Sequence, residues 1–404
     1  MTGPFRDPKA ADSAPEFATI PLDRRRFLVL MGGAAAYTAL APSLGWTQST
    51  PRVALHPWKL PDTAPGSSID QARALIAAAI MAPSHWNAQP WRFELDDDVL
   101  KVVLDSSRTL PVADPDQRFA HVSLGASLEN LLVAARAYGL QPVVQHLPWG
   151  MTQRRSAPLV AASVRWQAGG PARDRLLFGA LADRRSNPRE FDGRAITLQS
   201  RTQLQAQVFE GVNLHWVDDR SGIRRIADLC HESSVALADD PAVASERERW
   251  MRGDDGDTRR RGDGVALERL GIDGVARWMA GRANSPGAWL HGWAATSVAR
   301  ETRERVRSSG ALLLITTRAR AGDARWLLAG QSYERLALKA SILGIAQQPL
   351  TGPIESPKHR DALLARFGAG ADEEPVLMVR LGHAKPVAPT ARRSVALVST
   401  YRNS

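Results

Sequence analysis

Apolar residues recur at helical spacing from Ile69 to Met81, and Pro83 ends that run, because proline disfavours the helical conformation in the residue before it. Two short β-type runs follow, Arg92–Leu95 and Val99–Leu104. The stretch between, Ala82 to Trp91 (A-P-S-H-W-N-A-Q-P-W), therefore falls on a helix-to-strand loop. Loops held by rigid elements are where binding groups concentrate.

A second amphipathic pattern occurs twice. Gly125–Gly139 (GASLENLLVAARAYG) aligns without a gap on Gly330–Gly344 (GQSYERLALKASILG), sharing Gly, Ser, Glu, Leu, Ala and Gly. Each copy predicts a helix closed by a glycine, followed later by an apolar strand, Pro158–Trp166 in the first and Pro375–Leu381 in the second. The copies divide near Gln167–Pro171, after which a helix is predicted over Arg173–Arg184. The expected fold class is α+β: a first half over 69–168 and a second over 172–404, with an insert at about 239–305 that the first half lacks. Within that insert, Glu246–Asp263 mixes six acidic and six basic residues and reads as a solvated helix face or loop, while Trp278, Trp289 and Trp293 read as helix packing or a lid.

Composition narrows the partners. The 404 residues carry a net charge of +10, nearly all from arginine, with 44% apolar and 23% charged residues. No RNA- or DNA-binding motif accompanies the charge, so it reads as a solvated arginine-rich surface, and no nucleic-acid partner is expected. The lone Cys230 excludes an intramolecular disulfide and a cysteine-based metal site.

The amino terminus reads as an address. Met1–Ile20 is polar; Asp23-Arg24-Arg25-Arg26-Phe27-Leu28 and the short apolar run Val29–Ala41 then form the pattern of a twin-arginine export signal within region 1–46, ahead of a linker at 47–68. The run is too short and too rich in Gly and Ala for a confident membrane span. Pro42 hinders cleavage after Ala39-Leu40-Ala41, so an uncleaved membrane anchor stays open beside release into the periplasm. The translocase is then an expected partner.

The candidate chemistry lies in four places. Ser84, Asn87 and Gln89 offer hydroxyl and carboxamide groups without charge, suited to a heteroaromatic ring or a polyol, or else to local backbone capping. Arg184-Arg185-Ser186-Asn187-Pro188-Arg189-Glu190-Phe191 offers guanidiniums near a helix end, suited to a phosphate or to the helix dipole. Gly344-Ile-Ala-Gln-Gln-Pro349-Leu-Thr-Gly-Pro353 and Ala391-Arg392-Arg393-Ser394 complete the set.

A-P-S-x-x-N-x-Q-P-W resembles the flavin loop of the FMN-dependent nitroreductase family. Arg184–Phe191 resembles that family's R-R-S-x-R-x-F motif, with a spacing closer to its variant in tandem members. The segment Gly344–Gly352 is similar to its G-x-x-x-x-P-x-x-G loop, whose backbone amide faces the flavin N5, and Thr351 and Gly352 fall at that place. Arg392 and Arg393 are similar to terminal arginines that grip the FMN phosphate. The resemblance implies FMN as cofactor, held by Pro83, Ser84, Asn87, Gln89, Arg184, Arg185, Ser186, Arg189, Thr351, Gly352, Arg392 and Arg393.

In ordinary members each flavin sits between two subunits. Here the motifs are divided between the copies, since the second copy reads Val208–Trp216 where the S-x-x-N-x-Q loop would stand. One chain is thus expected to form an intrachain pseudo-dimer with one complete site, competent as a monomer, like the tandem, Acg-like branch. The implied activity is reduction of a small-molecule electron acceptor, a nitroaromatic, quinone or similar, through bound flavin. The alternative is a flavin-holding protein with a lid-closed site and no turnover. No catalytic acid or base is evident; His85 lies in the loop and could face the ring, but a lone loop histidine is more often a surface residue. The electron donor is unknown, because reduced nicotinamides are scarce outside the cytoplasm.

Overall fold

The computed structural model describes residues 58–150, 158–270, 295–319 and 322–402. The export-signal region, the linker as far as residue 57, and Trp278, Trp289 and Trp293 lie outside the described residues.

Helix α1 (Ser68–Ala79) leads to strands β1 (Trp91–Asp96) and β2 (Val99–Leu104), helix α2 (Arg118–Ala137), strands β3 (Gln141–His146) and β4 (Val160–Gln167) and helix α3 (Arg175–Leu181). Helix α4 (Leu198–Gln205) then precedes β5 (Val212–Val217), α5 (Arg220–Ala238), α6 (Pro241–Glu248), β6 (Met251–Arg252), α7 (Asp255–Arg261) and β7 (Val265–Ala266). The remaining elements are α8 (Ala295–Arg307), β8 (Ala311–Arg318), α9 (Arg325–Ile342), β9 (Ala346–Leu350), α10 (Gly352–Glu355), α11 (Pro357–Phe367), β10 (Glu373–Gly382), α12 (Val395–Val398) and β11 (Ser399–Arg402).

The fold is α+β. One sheet runs β11-β1-β2-β4-β3 and the other β5-β8-β10-β9. Without β11 the two orders are the same: in each, the second strand feeds a long helix, the third strand forms the far edge, and the fourth returns between them. All pairings in both sets are antiparallel. The carboxy-terminal β11 instead joins β1 in parallel, with Phe93 opposite Ser399, so the last strand lies beside the first.

The repeated pattern forms the centre. Helices α2 and α9 pack together, and every residue of α2 except Arg136 is buried, as expected of a helix covered on all sides. Their crossing depends on the first glycine of each repeat. A Cβ on Gly125 would lie 2.1 Å from the Leu327 carbonyl oxygen, and one on Gly330 would lie 2.2 Å from that of Val122. The contact is reciprocal, as across a two-fold axis. The closing glycines behave alike too: Gly139 (φ +73°) and Gly344 (φ +67°) take the left-handed conformation. The next amide donates back to the helix in both copies, Leu140 to Ala135 at 2.9 Å and Ile345 to Ala340 at 2.8 Å.

Two expectations need correction. The helix expected over Arg173–Arg184 spans only Arg175–Leu181. Beyond it the chain is drawn across to β9, where the Asn187 amide donates to the Gln347 carbonyl at 2.8 Å, and tertiary pairing overrides helix propensity. The charged stretch Glu246–Asp263 is solvated only in part, at Arg249, at Asp254 and along α7, whose Arg259, Arg260 and Arg261 are exposed. Glu246 is buried and accepts the amide protons of Val112 (3.0 Å) and Ala113 (2.7 Å). Buried Asp263 pairs with Arg252 at 2.6 Å and also with Arg108. Charges on both sides of the insert therefore dock it onto the first half.

Candidate functional site

The loop after α1 is held in an unusual backbone. Trp86, Asn87 and Gln89 have φ of 50°, 52° and 55°, a region that non-glycine residues occupy at a cost and that gathers at functional sites. Hydrogen bonds from two other segments hold it there. Asn87 Nδ2 donates to the carbonyls of Gly264 (3.1 Å) and Ala391 (3.2 Å), and its Oδ1 accepts from Arg392 Nη1 (3.1 Å). Gln89 Nε2 donates to the Gly262 carbonyl (2.8 Å), and its Oε1 accepts the Arg393 amide (2.9 Å). Ser84 Oγ accepts the Gln89 amide at 3.0 Å. Both carboxamides thus use their polar ends to fasten the insert and the carboxy terminus to the loop.

Beneath this loop lies a cavity of about 410 Å³. Nine of the residues singled out from the sequence line it: Pro83, Ser84, Asn87, Arg184, Arg185, Ser186, Thr351, Gly352 and Arg392. Gln89, Arg189 and Arg393 do not. Gln89 is buried behind the wall. Arg189 is exposed, and its amide donates to Asn187 Oδ1 at 3.0 Å. The Arg393 guanidinium turns to Asp105, 3.7 Å away. Sequence reasoning missed Trp58, His85, Phe119, Arg247, Arg269 and Glu355 as lining residues. Arg247 and Arg269 come from the insert, where no internal repeat guides the eye.

One end of the cavity is strongly basic. Arg184 and Arg392 both donate to the Met81 carbonyl, at 3.2 and 3.3 Å, just past the end of α1. Arg184 Nε also lies 3.1 Å from Glu334 Oε1, with both side chains buried. Burial, with Arg184 and Arg185 close by, pushes Arg392 down to about 9; burial and Arg184 push Arg185 down to about 10. Burial pushes the Glu334 carboxyl up to about 7 against the pull of Arg184. Arg184 and Arg392 therefore share one carboxylate that ionises reluctantly, with Arg185 close by. Arg184 Nη1 and Arg392 Nε, both buried, make no hydrogen bond. Unsatisfied buried donors of this kind call for an anion.

Glu334 gives a measurable pH dependence. Its folded-state value lies above the ordinary 4.5, so between about 4.5 and 7 the native chain holds a proton that the unfolded chain has released. Stability falls as pH rises through that window and levels off above it. Glu334→Gln, which cannot ionise, is expected to remove this part of the slope; unfolding midpoints of parent and variant across the window check it.

The other end is aromatic. His85 stacks on Phe119 with ring centres 4.8 Å apart, and its Nε2 lies 3.6 Å from Glu355 Oε1. Its side chain is only 10% exposed, contrary to the surface position expected, because its amide donates to Ser123 Oγ on α2 (3.3 Å) and turns the loop inward. Burial pushes His85 down to about 4, so the ring is neutral near pH 7. Burial alone would raise Glu355, but Arg247, His85 and Thr351 together hold it below its usual value. Among the described residues no group of side chains could hold a metal ion.

The cavity thus has guanidiniums at one end and aromatic side chains at the other. Comparison with known proteins adds a relation. No family model matches the chain. It is 28% identical over 345 residues, 81% of this chain and 91% of the relative, to "Putative NAD(P)H nitroreductase Rv3131" of Mycobacterium tuberculosis. It is 26% identical over 343 residues, 81% of this chain and 92% of the relative, to "Uncharacterized protein Rv3127" of the same organism. Among solved structures it is similar to the FMN and NADPH-dependent nitroreductase NfnB from "sphigopyxis sp. strain HMH", with a TM-score of 0.38 and 17% identity, over 56% of this chain and 99% of that one.

Proposed function

We propose that this chain is an FMN-dependent oxidoreductase of the nitroreductase type that reduces a small-molecule acceptor such as a nitroaromatic or a quinone. The observation that carries this reading is the excess positive charge of Arg184, Arg185 and Arg392 over the one carboxylate, Glu334, at one end of the cavity. These residues fit a phosphate, and the backbone at Thr351 and Gly352 forms part of the same wall. When bound, FMN supplies reversible two-electron transfer. The guanidiniums would hold its phosphate, Phe119 and Trp86 would keep water from the ring, and Asn87 and Gln89 would fix the loop. The test is the absorbance of purified protein: a flavin spectrum that bleaches with dithionite and returns on adding a quinone or a nitroaromatic. A colourless protein that takes up no FMN would sink the reading.

The two halves, 69–168 and 172–404, are proposed to act as the subunits of a pseudo-dimer. Their shared strand order and the reciprocal glycines of α2 and α9 support this. The repeat also gives a reason for a single site. Glu129, the counterpart of Glu334, lies 2.7 Å from Arg136 and 2.9 Å from Arg335, and Asp174 lies 2.6 and 3.2 Å from the same two arginines. Two carboxylates there answer two guanidiniums, leaving no charge for an anion.

A specific observation favours a second reading, in which the chain holds flavin without turnover. Arg247, Met251, Val265 and Arg269 of the insert line the cavity, so the insert covers part of the site. A bleached flavin that no added acceptor reoxidises would select this reading.

Export is proposed through Arg24 and Arg25. Site residues as far apart as Ser84 and Arg392 meet only in the folded chain, so FMN would load in the cytoplasm before translocation, and the electron donor outside it would be other than a nicotinamide. Changing Arg24 and Arg25 to Lys is expected to leave yellow, folded protein in the cytoplasm. Fractionation showing the double variant in the periplasm would contradict it.

A further inference from the structure

We propose that Trp58 belongs to the anion-binding end of the cavity, where its indole face carries the guanidiniums of Arg185 and Arg392 without engaging their N–H groups, so that those not already given to Asn87 and to backbone carbonyls, Arg392 Nε among them, stay free for a phosphate. This rests on the FMN reading above. The Arg185 guanidinium carbon lies 4.2 Å from the Trp58 ring centre and that of Arg392 lies 5.4 Å from it. Both distances are within cation–π range. Trp58 lines the cavity and packs against the main core.

The arrangement solves an electrostatic problem. Arg184 repels Arg185 and Arg392, and burial further disfavours the charged forms of those two. A carboxylate over the arginines would relieve the repulsion but would compete with the ligand for their donors. An indole face relieves it without doing so, because a guanidinium carries all its N–H groups in its own plane, and stacking on the face uses none of them.

The segment bearing Trp58 is also held in place. Tyr138 Oη donates to the Pro61 carbonyl at 2.8 Å, and Gln71 Nε2 donates to the Pro65 carbonyl at 3.0 Å. The stretch just ahead of α1, a linker on sequence grounds, therefore contributes to the site.

The test uses the full chain and its Trp58→Phe and Trp58→Leu variants. Phe keeps a π face; Leu keeps apolar cover without one. The readout is the release rate of FMN and, in parallel, of riboflavin, which lacks the phosphate. The expected result is roughly tenfold faster FMN release for Trp58→Leu, a change within about threefold for Trp58→Phe, and equal riboflavin release in all three proteins. FMN release from Trp58→Leu at the parent rate, or an equal acceleration for riboflavin, would overturn the proposal and leave Trp58 as apolar cover. A parent protein that binds neither flavin would refute the FMN reading itself and this proposal with it.

Discussion

Gly125→Ala and Gly330→Ala are each expected to destabilise the chain by about 3 kcal/mol, the upper end of the usual cost of overpacking. The added methyl group would meet a backbone carbonyl oxygen at 2.1 or 2.2 Å. Such an atom cannot turn aside as a flexible side chain can, so α2 and α9 must separate. These helices carry Ser127, Glu129, Ser332 and Glu334, all buried, and separation would expose or unpair them as well. Because either methyl group forces the same separation, the double variant is expected to lose less than the sum of the two. Gly179→Ala is the control: it lies in α3 with nothing within 4 Å of an added Cβ, and is expected to stabilise by up to about 1 kcal/mol. Urea unfolding of the four variants measures all of this. A Gly125→Ala protein as stable as the parent would show that the helices do not cross there.

Arg392→Ala is expected to weaken FMN retention by about 1.5–3 kcal/mol, the usual worth of a hydrogen bond to a charged group. Arg185→Ala should act in the same direction. Arg393→Ala should leave retention unchanged, because its guanidinium faces Asp105 outside the cavity. Equilibrium titration of flavin-free protein with FMN distinguishes them. Equal losses for Arg392→Ala and Arg393→Ala would mean that the terminal arginines act through the fold and not through a phosphate contact.

Much of the centre was legible in the sequence because it is local and repeated. Gly125–Gly139 and Gly330–Gly344 announced two helices with their closing glycines, and the strand Val99–Leu104 has the bounds its apolar run suggested. The cavity was legible where motifs are contiguous, at Pro83, Ser84 and Asn87 and at Arg184–Ser186. What escaped depends on long-range pairing. Strand β11 is four residues long and acquires its identity only by lying beside β1. Glu246 and Asp263 look like surface charges until Val112, Ala113, Arg108 and Arg252 are brought to them. Arg392 and Arg393 are adjacent and chemically alike, and only the fold turns one toward the cavity and the other toward Asp105.

The central claim is that one chain builds one flavin site from both of its halves. The most direct measurement is the flavin-to-chain ratio of fully loaded protein together with its mass in solution. The account predicts a ratio near one, reached by the monomer. A ratio near two, or flavin bound only by a dimer, would contradict it.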